Sequence, residues 1–114
     1  MRNTLLAGFI LVLMTLPQAH ADCVKNQSGK VVCGKGQCET DRYGVVYCAL
    51  QGGGAIKDKY DSVRCGVGSC AKDNDDEVWC STQPGGSATV DSSGKVKCLG
   101  ACETGTTKRC QEAH

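Results

Sequence analysis

Residues 41–48 read DRYGVVYC, and this octet decides the fold because the chain repeats it. Five further octets end in cysteine: NQSGKVVC (26–33), DKYDSVRC (58–65), DNDDEVWC (73–80), DSSGKVKC (91–98) and ETGTTKRC (103–110). Five of the six begin with Asp or Asn and carry Val two residues before the Cys. Asx first and Gly fourth is the chemistry of a type I turn closed by a residue in the left-handed region. The Asx side chain caps the turn, and Gly accepts positive φ without a Cβ clash. Such a turn joins antiparallel strands. Each octet is therefore read as the turn and return strand of a β-hairpin, giving about six hairpins. DKYD and DNDD place Asp where Gly is ideal, and the last octet is irregular.

Register follows from the turn. If Asn26 closes on Lys30, then Lys25 faces Val31, Val24 faces Val32, and Cys23 faces Cys33. The same count sets Cys38 opposite Cys48 and Cys70 opposite Cys80, with Cys102 opposite Cys110 in a shorter last hairpin. Non-hydrogen-bonded ladder pairs bring Cα atoms to about 4.5 Å, within disulfide reach. Ala55 and Ala88 face Cys65 and Cys98, which leaves those two cysteines to bond each other. The rival pairing joins neighbours across the connectors, as in Cys33–Cys38 and Cys65–Cys70.

Those connectors are CGKGQC (33–38) and CGVGSC (65–70), in which the glycines are expected to let the chain turn. Shifting the sequence by 32 residues superposes Cys33, Cys38 and Cys48 on Cys65, Cys70 and Cys80. A shortened third copy carries Cys98, Cys102 and Cys110. A fixed period of this size signals a repeat architecture, with repeats at roughly 22–50, 51–82 and 83–114. Gly52–Gly54 and Gly85–Gly86 read as flexible links between them.

The first 21 residues, MRNTLLAGFILVLMTLPQAHA, have a basic start, an apolar run and small residues at Ala19 and Ala21. This is the pattern of a cleaved signal peptide, with 22–114 as the mature domain. The apolar run is shorter than the ~20 residues of a membrane span, so no span is expected after cleavage. All ten cysteines lie beyond it, a share of ~11%, above the ~8–10% of a disulfide scaffold. An even count in a short exported chain implies disulfides and a secreted or periplasmic location. Lys+Arg 13 stand against Asp+Glu 12. Loss of Arg2 balances them, so no attraction to nucleic acid or an anionic membrane is expected. The mature aromatics are Tyr43, Tyr47, Tyr60 and Trp79, too few for a large core, so disulfides must supplement it.

Catalytic chemistry finds few parts. No C-x-x-C is present for redox work, and His114 is the only mature histidine. Acidic residues cluster at exposed turn tips, whereas catalytic carboxylates need burial or close pairing to shift their pKa values. DNDDE (73–77) resembles a calcium loop only briefly, since Val78 stands where an EF-hand needs Gly. Asn26-Gln27-Ser28 fits the N-glycosylation acceptor pattern. The chain is expected to be no enzyme and to need no cofactor or resident metal. The alternative is a secreted or periplasmic metal-binding protein using reduced cysteines.

Alternation along the return strands sets Val31, Val46, Val63, Val78, Val96 and Lys108 on an inner face with the cysteines. The opposite face carries Val32, Tyr47, Arg64, Trp79, Lys97 and Arg109. Aromatics interleaved with cations suit a protein or glycan partner. Tyr47, Trp79, Arg64, Lys97 and Arg109 are therefore the candidate binding residues, of unknown partner. The competing role for Tyr47 and Trp79 is packing against the neighbouring repeat. The chain is read as an all-β, disulfide-rich exported binding or structural module.

Overall fold

The computed structural model describes residues 22–114; the signal-peptide reading lies outside the described residues. Ten short strands form five antiparallel hairpins: β1 (Cys23–Lys25) with β2 (Val31–Cys33), β3 (Cys38–Thr40) with β4 (Val46–Ala49), β5 (Ala55–Lys57) with β6 (Val63–Cys65), β7 (Cys70–Lys72) with β8 (Val78–Ser81), and β9 (Ala88–Val90) with β10 (Val96–Cys98). Two more strands, β11 (Cys102–Thr104) and β12 (Cys110–Glu112), follow, and no α-helix occurs among the described residues. The all-β, disulfide-rich class read from the octets is the one observed.

The turn chemistry operates at every tip. The first Asx of each octet accepts two backbone N–H groups on one side-chain oxygen. Asn26 takes those of Ser28 and Lys30, both at 3.0 Å, and Asp41 takes those of Tyr43 and Val45, both at 2.9 Å. Asp58, Asp73 and Asp91 repeat the arrangement. The fourth residue is left-handed each time, including the non-glycines Asp61 (φ 61°) and Asp76 (φ 63°). The register follows: Cys23 faces Cys33, Cys38 faces Cys48, Cys70 faces Cys80, and Ala55 and Ala88 face Cys65 and Cys98. The three facing pairs are disulfides with Cα separations of 4.1, 3.9 and 4.0 Å.

Strands of three or four residues cannot stand alone, and stacking is what holds them. Beside each of the first four hairpins, a backbone N–H at its start bonds a glycine carbonyl in the next connector. The four rungs are Asp22 to Gly36 (3.1 Å), Gln37 to Gly53 (3.0 Å), Gly54 to Gly68 (2.8 Å) and Ser69 to Gly86 (2.8 Å). All four accepting glycines are buried. A Cβ on any of them would fall inside 3.0 Å of a neighbouring atom. In CGKGQC and CGVGSC, Gly34 and Gly66 press against the Sγ and Cβ of Cys48 and Cys80 in turn. None of Gly34, Gly36, Gly66 and Gly68 has positive φ. Close approach, rather than turning, requires glycine there. The supposed flexible links are likewise packed: Gly53, Gly54 and Gly86 are buried.

The last octet departs from the hairpin reading. Glu103 is no Asx cap and Thr106 is β-branched where the turn needs a left-handed residue, so Thr106 stays extended (φ −134°, ψ 161°). Its two strands separate. β11 adds to β8, with Cys102 facing Ser81 and Thr104 facing Trp79. Thr106 exchanges both backbone hydrogen bonds with Cys65 at 2.9 and 3.0 Å. β12 adds to β4, with Cys110 facing Ala49. The expected Cys102–Cys110 and Cys65–Cys98 bonds are therefore replaced by Cys65–Cys110 and Cys98–Cys102, with Cα separations of 5.4 and 5.3 Å.

Two inner-face assignments also change. Val31 is 57% exposed and Val32 only 1%, because Val32 packs with Val46, Cys38 and Cys48 of the second hairpin. As the first hairpin among the described residues, it buries the face turned toward the second hairpin and leaves its own disulfide exposed. Lys108 is exposed because its segment is not a hairpin return strand.

Candidate functional site

The residue before each return-strand cysteine points at the next hairpin in the stack. Val32 joins the cluster containing Val46, and Tyr47 packs on the one containing Ala55, Val63 and Cys65. Arg64 lines a groove with Val78, and Trp79 lines one of about 370 Å³ with Val96 and Lys95. Lys97, in the fifth hairpin, is exposed.

These side chains are also tied to their own turns. The Arg64 guanidinium donates through Nε to Asp58 Oδ2 at 3.0 Å. In the fourth hairpin the Trp79 indole N–H donates to Asp73 Oδ2, also at 3.0 Å. Each aspartate thus closes its turn with one oxygen and holds the strand residue six positions on with the other. Burial pushes the Asp58 carboxyl up, but the Ser62 amide, the Arg64 guanidinium and the Tyr60 amide outweigh it and hold it below its ordinary value. Asp73 is lowered by the Glu77 amide first and the Trp79 indole second, with Lys59 adding a favourable charge. Asp91 is lowered by the Lys95 amide, then the Ser93 hydroxyl, with the Lys97 charge a smaller contribution. In the first hairpin the strand residue is the apolar Val32, and the cap is the neutral Asn26.

Of the five residues singled out from the sequence, Tyr47, Arg64 and Trp79 therefore sit half-buried between hairpins. Arg109 forms an ion pair with Glu103 (3.1 Å), and Lys97 is exposed with no ion pair among the described residues. The structure does not gather the five onto one surface.

The exposed aromatics lie elsewhere. Tyr43 is 70% exposed and Tyr60 60%, each third in its octet, at the tips of the second and third hairpins. Arg42 lies 5.2 Å from the Tyr43 ring centroid and Lys59 5.5 Å from that of Tyr60. The tips touch, since the Arg42 N–H donates to the Asp61 carbonyl at 3.2 Å. A groove beside Tyr60 is lined by Lys59, Arg64, Asp76, Glu77 and Thr104. The signal that could have found this pair is the recurrence of a cation followed by Tyr in DRYG and DKYD. Strand alternation directs attention away from it, because a turn belongs to neither face.

All ten cysteines are paired. The reduced-cysteine alternative thus has its ligands bound to one another, and no cluster of three or more His, Cys, Asp or Glu suited to a metal occurs among the described residues. No helix among them is long and apolar enough to cross a membrane. No family model matches the chain, and neither curated proteins nor solved structures show similarity to it. The fold and site define a small, oxidised, disulfide-rich β module.

Proposed function

We propose that this chain is an exported binding or structural module without catalytic activity, and that it meets its partner through the tips of the second and third hairpins. The observation that carries this is the division of its aromatics. Tyr47 and Trp79 are half-buried between hairpins, whereas Tyr43 and Tyr60 are exposed on touching tips beside their own cations. Exposed aromatics with cations on a rigid scaffold give contact area at small entropic cost. Five disulfides accord with the oxidising compartment of an exported chain.

The test is recovery of partner from the native compartment on immobilised protein, comparing wild type with the Tyr43→Ala/Tyr60→Ala double variant and with Lys97→Ala. Retention by wild type and Lys97→Ala but not by the double variant is the expected result. Equal retention by all three overturns the tip assignment. A second reading uses the Trp79 groove, favoured by the aromatic lining it beside Lys95. It predicts loss of partner on mutation of Lys95 at the groove rim, with the tip variants unaffected.

A further inference from the structure

The C-terminal segment treats the hairpins unequally. Its strands run antiparallel to return strands, β11 on β8 and β12 on β4, and Thr106 bridges Cys65 of β6. In each case it takes backbone groups that the hairpin's own ladder leaves over. Hydrogen-bonded and non-hydrogen-bonded pairs alternate, so the valine and the cysteine of each return strand turn their N–H and C=O to the outer edge. The Val78 carbonyl accepts the Gly105 N–H at 2.9 Å, Cys65 exchanges both bonds with Thr106, and the Val46 carbonyl accepts the Ala113 N–H at 3.0 Å. The next edge in that direction is β2. There Val32 pairs with Val24 inside the hairpin, while Val31 and Cys33 face outward and are exposed. Among the described residues β1 is the only strand paired with β2.

An added strand has a place to lie. Ala113 packs on the cluster that Val32 joins. Cys33, Gly34 and Lys35 line a groove together with Gln111, Glu112 and Ala113 of the C-terminal segment. A strand paired with β2 would rest on that segment's end and point alternate side chains toward it. Charge then selects the strand. Residues 22–37 carry Lys25, Lys30 and Lys35 against Asp22, and Asp22 Oδ2 accepts the Cys38 N–H at 3.2 Å. Glu112 is the one carboxylate side chain among the residues lining the groove. None of the three lysines is in an ion pair among the described residues. A second copy fits badly. Antiparallel pairing of two β2 strands about Val32 brings Lys30 of each copy beside the Gly34-Lys35 connector of the other. Lysines flanking an edge strand guard against such self-pairing. The second copy's C-terminal segment is tied down by its own Cys65–Cys110 and Cys98–Cys102 bonds. We infer that the open edge of β2 takes up an extended segment of a different protein as an antiparallel strand, with carboxylates at its two ends meeting Lys30 and Lys35. This surface is separate from the hairpin tips, and its test is independent of theirs.

The probe is the peptide Ser-Glu-Thr-Val-Thr-Glu-Ser, blocked at both ends, whose valine pairs with Val32 and whose glutamates reach the two lysines. The controls are the same peptide methylated on both threonine nitrogens and an analogue with lysine in place of glutamate. Each is titrated into isotope-labelled, disulfide-intact protein and followed by NMR. Saturable binding of the glutamate peptide is expected, with exchange of the Val31 and Cys33 amides slowed at least tenfold at saturation. Both control peptides, and the Lys30→Glu/Lys35→Glu protein with the glutamate peptide, should bind at least tenfold more weakly. No binding of the glutamate peptide, or equal binding of its methylated form, would overturn the added strand. Equal binding of the lysine analogue would overturn the acidic assignment. Protection of Val31 and Cys33 that grows with protein concentration alone would make a second copy the occupant and overturn the proposal. Lys30 and Lys35 are exposed, so the double variant keeps its fold, which an unchanged disulfide map checks; the peptide controls use unaltered protein.

Discussion

At the scale of the residue, the octet links its first and seventh positions. Asp58 and Asp73 each cap a turn with one oxygen and receive the strand's Arg64 or Trp79 on the other. Protonation removes acceptor capacity from both tasks. The Asp58, Asp73 and Asp91 carboxyls sit below their ordinary values in the folded chain. The unfolded chain therefore binds more protons as pH falls through about 3.9. Their contribution is complete above that pH and disappears as pH drops through the lower folded values. Carboxyl titrations followed by NMR should show these three midpoints below that of a free aspartate, with melting temperature declining over the same acid range. Asp73→Asn keeps the turn acceptor but offers the indole no second one. Its Trp79 fluorescence should shift red at neutral pH, and an unchanged spectrum would deny the link. A separate residue effect lies at Asp61 and Asp76, left-handed where three of the five tips use glycine. Asp76→Gly should stabilise by about 0.5–1 kcal/mol in denaturant unfolding, because glycine bears no Cβ penalty at positive φ.

At the scale of the element, the hairpins were legible because turn chemistry is local. Asn26 to Lys30, or Asp41 to Val45, contains in five residues everything needed to fix the register of its strands, and so three of the disulfides. What joins one hairpin to the next was not legible. The glycines of CGKGQC and CGVGSC suggest turning, yet their role comes from the neighbouring hairpin's disulfide, a contact that no local pattern encodes. Tyr47 and Trp79 are a related case, since strand alternation gives a face but cannot say whether another hairpin covers it. Tyr43 and Tyr60 escaped because they lie in turns. Gly34→Ala and Gly66→Ala each drive a methyl into a cystine, Cys38–Cys48 or Cys70–Cys80. With the added carbon 2.2 Å from a cysteine Cβ, each should cost about 3 kcal/mol or more, the top of the usual range for overpacking. Gly85 has open space around it but positive φ. Gly85→Ala should cost only the left-handed penalty of about 1–2 kcal/mol, and equal losses at all three sites would contradict the close-packed spine.

At the scale of the whole molecule, the C-terminal segment holds the stack together. It leaves the fifth hairpin at Cys98–Cys102 and runs along β8 of the fourth. It then crosses the third at Thr106 and Cys110, lies along β4 of the second, and ends with the Ala113 N–H on the Val46 carbonyl. It crosses the hairpins in reverse of their order in the chain and adds a third strand to the sheets of the fourth and the second. Its two disulfides are unequal in what they close. Cys65–Cys110 spans 45 residues and Cys98–Cys102 only 4. In the loop-entropy model these are worth about 4 and about 2 kcal/mol. Cys65→Ser/Cys110→Ser should therefore lose roughly twice the stability of Cys98→Ser/Cys102→Ser. It should also raise amide exchange across Cys65, Thr106 and β12 while the turn amides of the first hairpin keep their protection. A disulfide map of native protein showing Cys102–Cys110 would remove this segment from its role, because that bond requires β11 and β12 to face one another as a sixth hairpin instead of completing the sheets of β8 and β4.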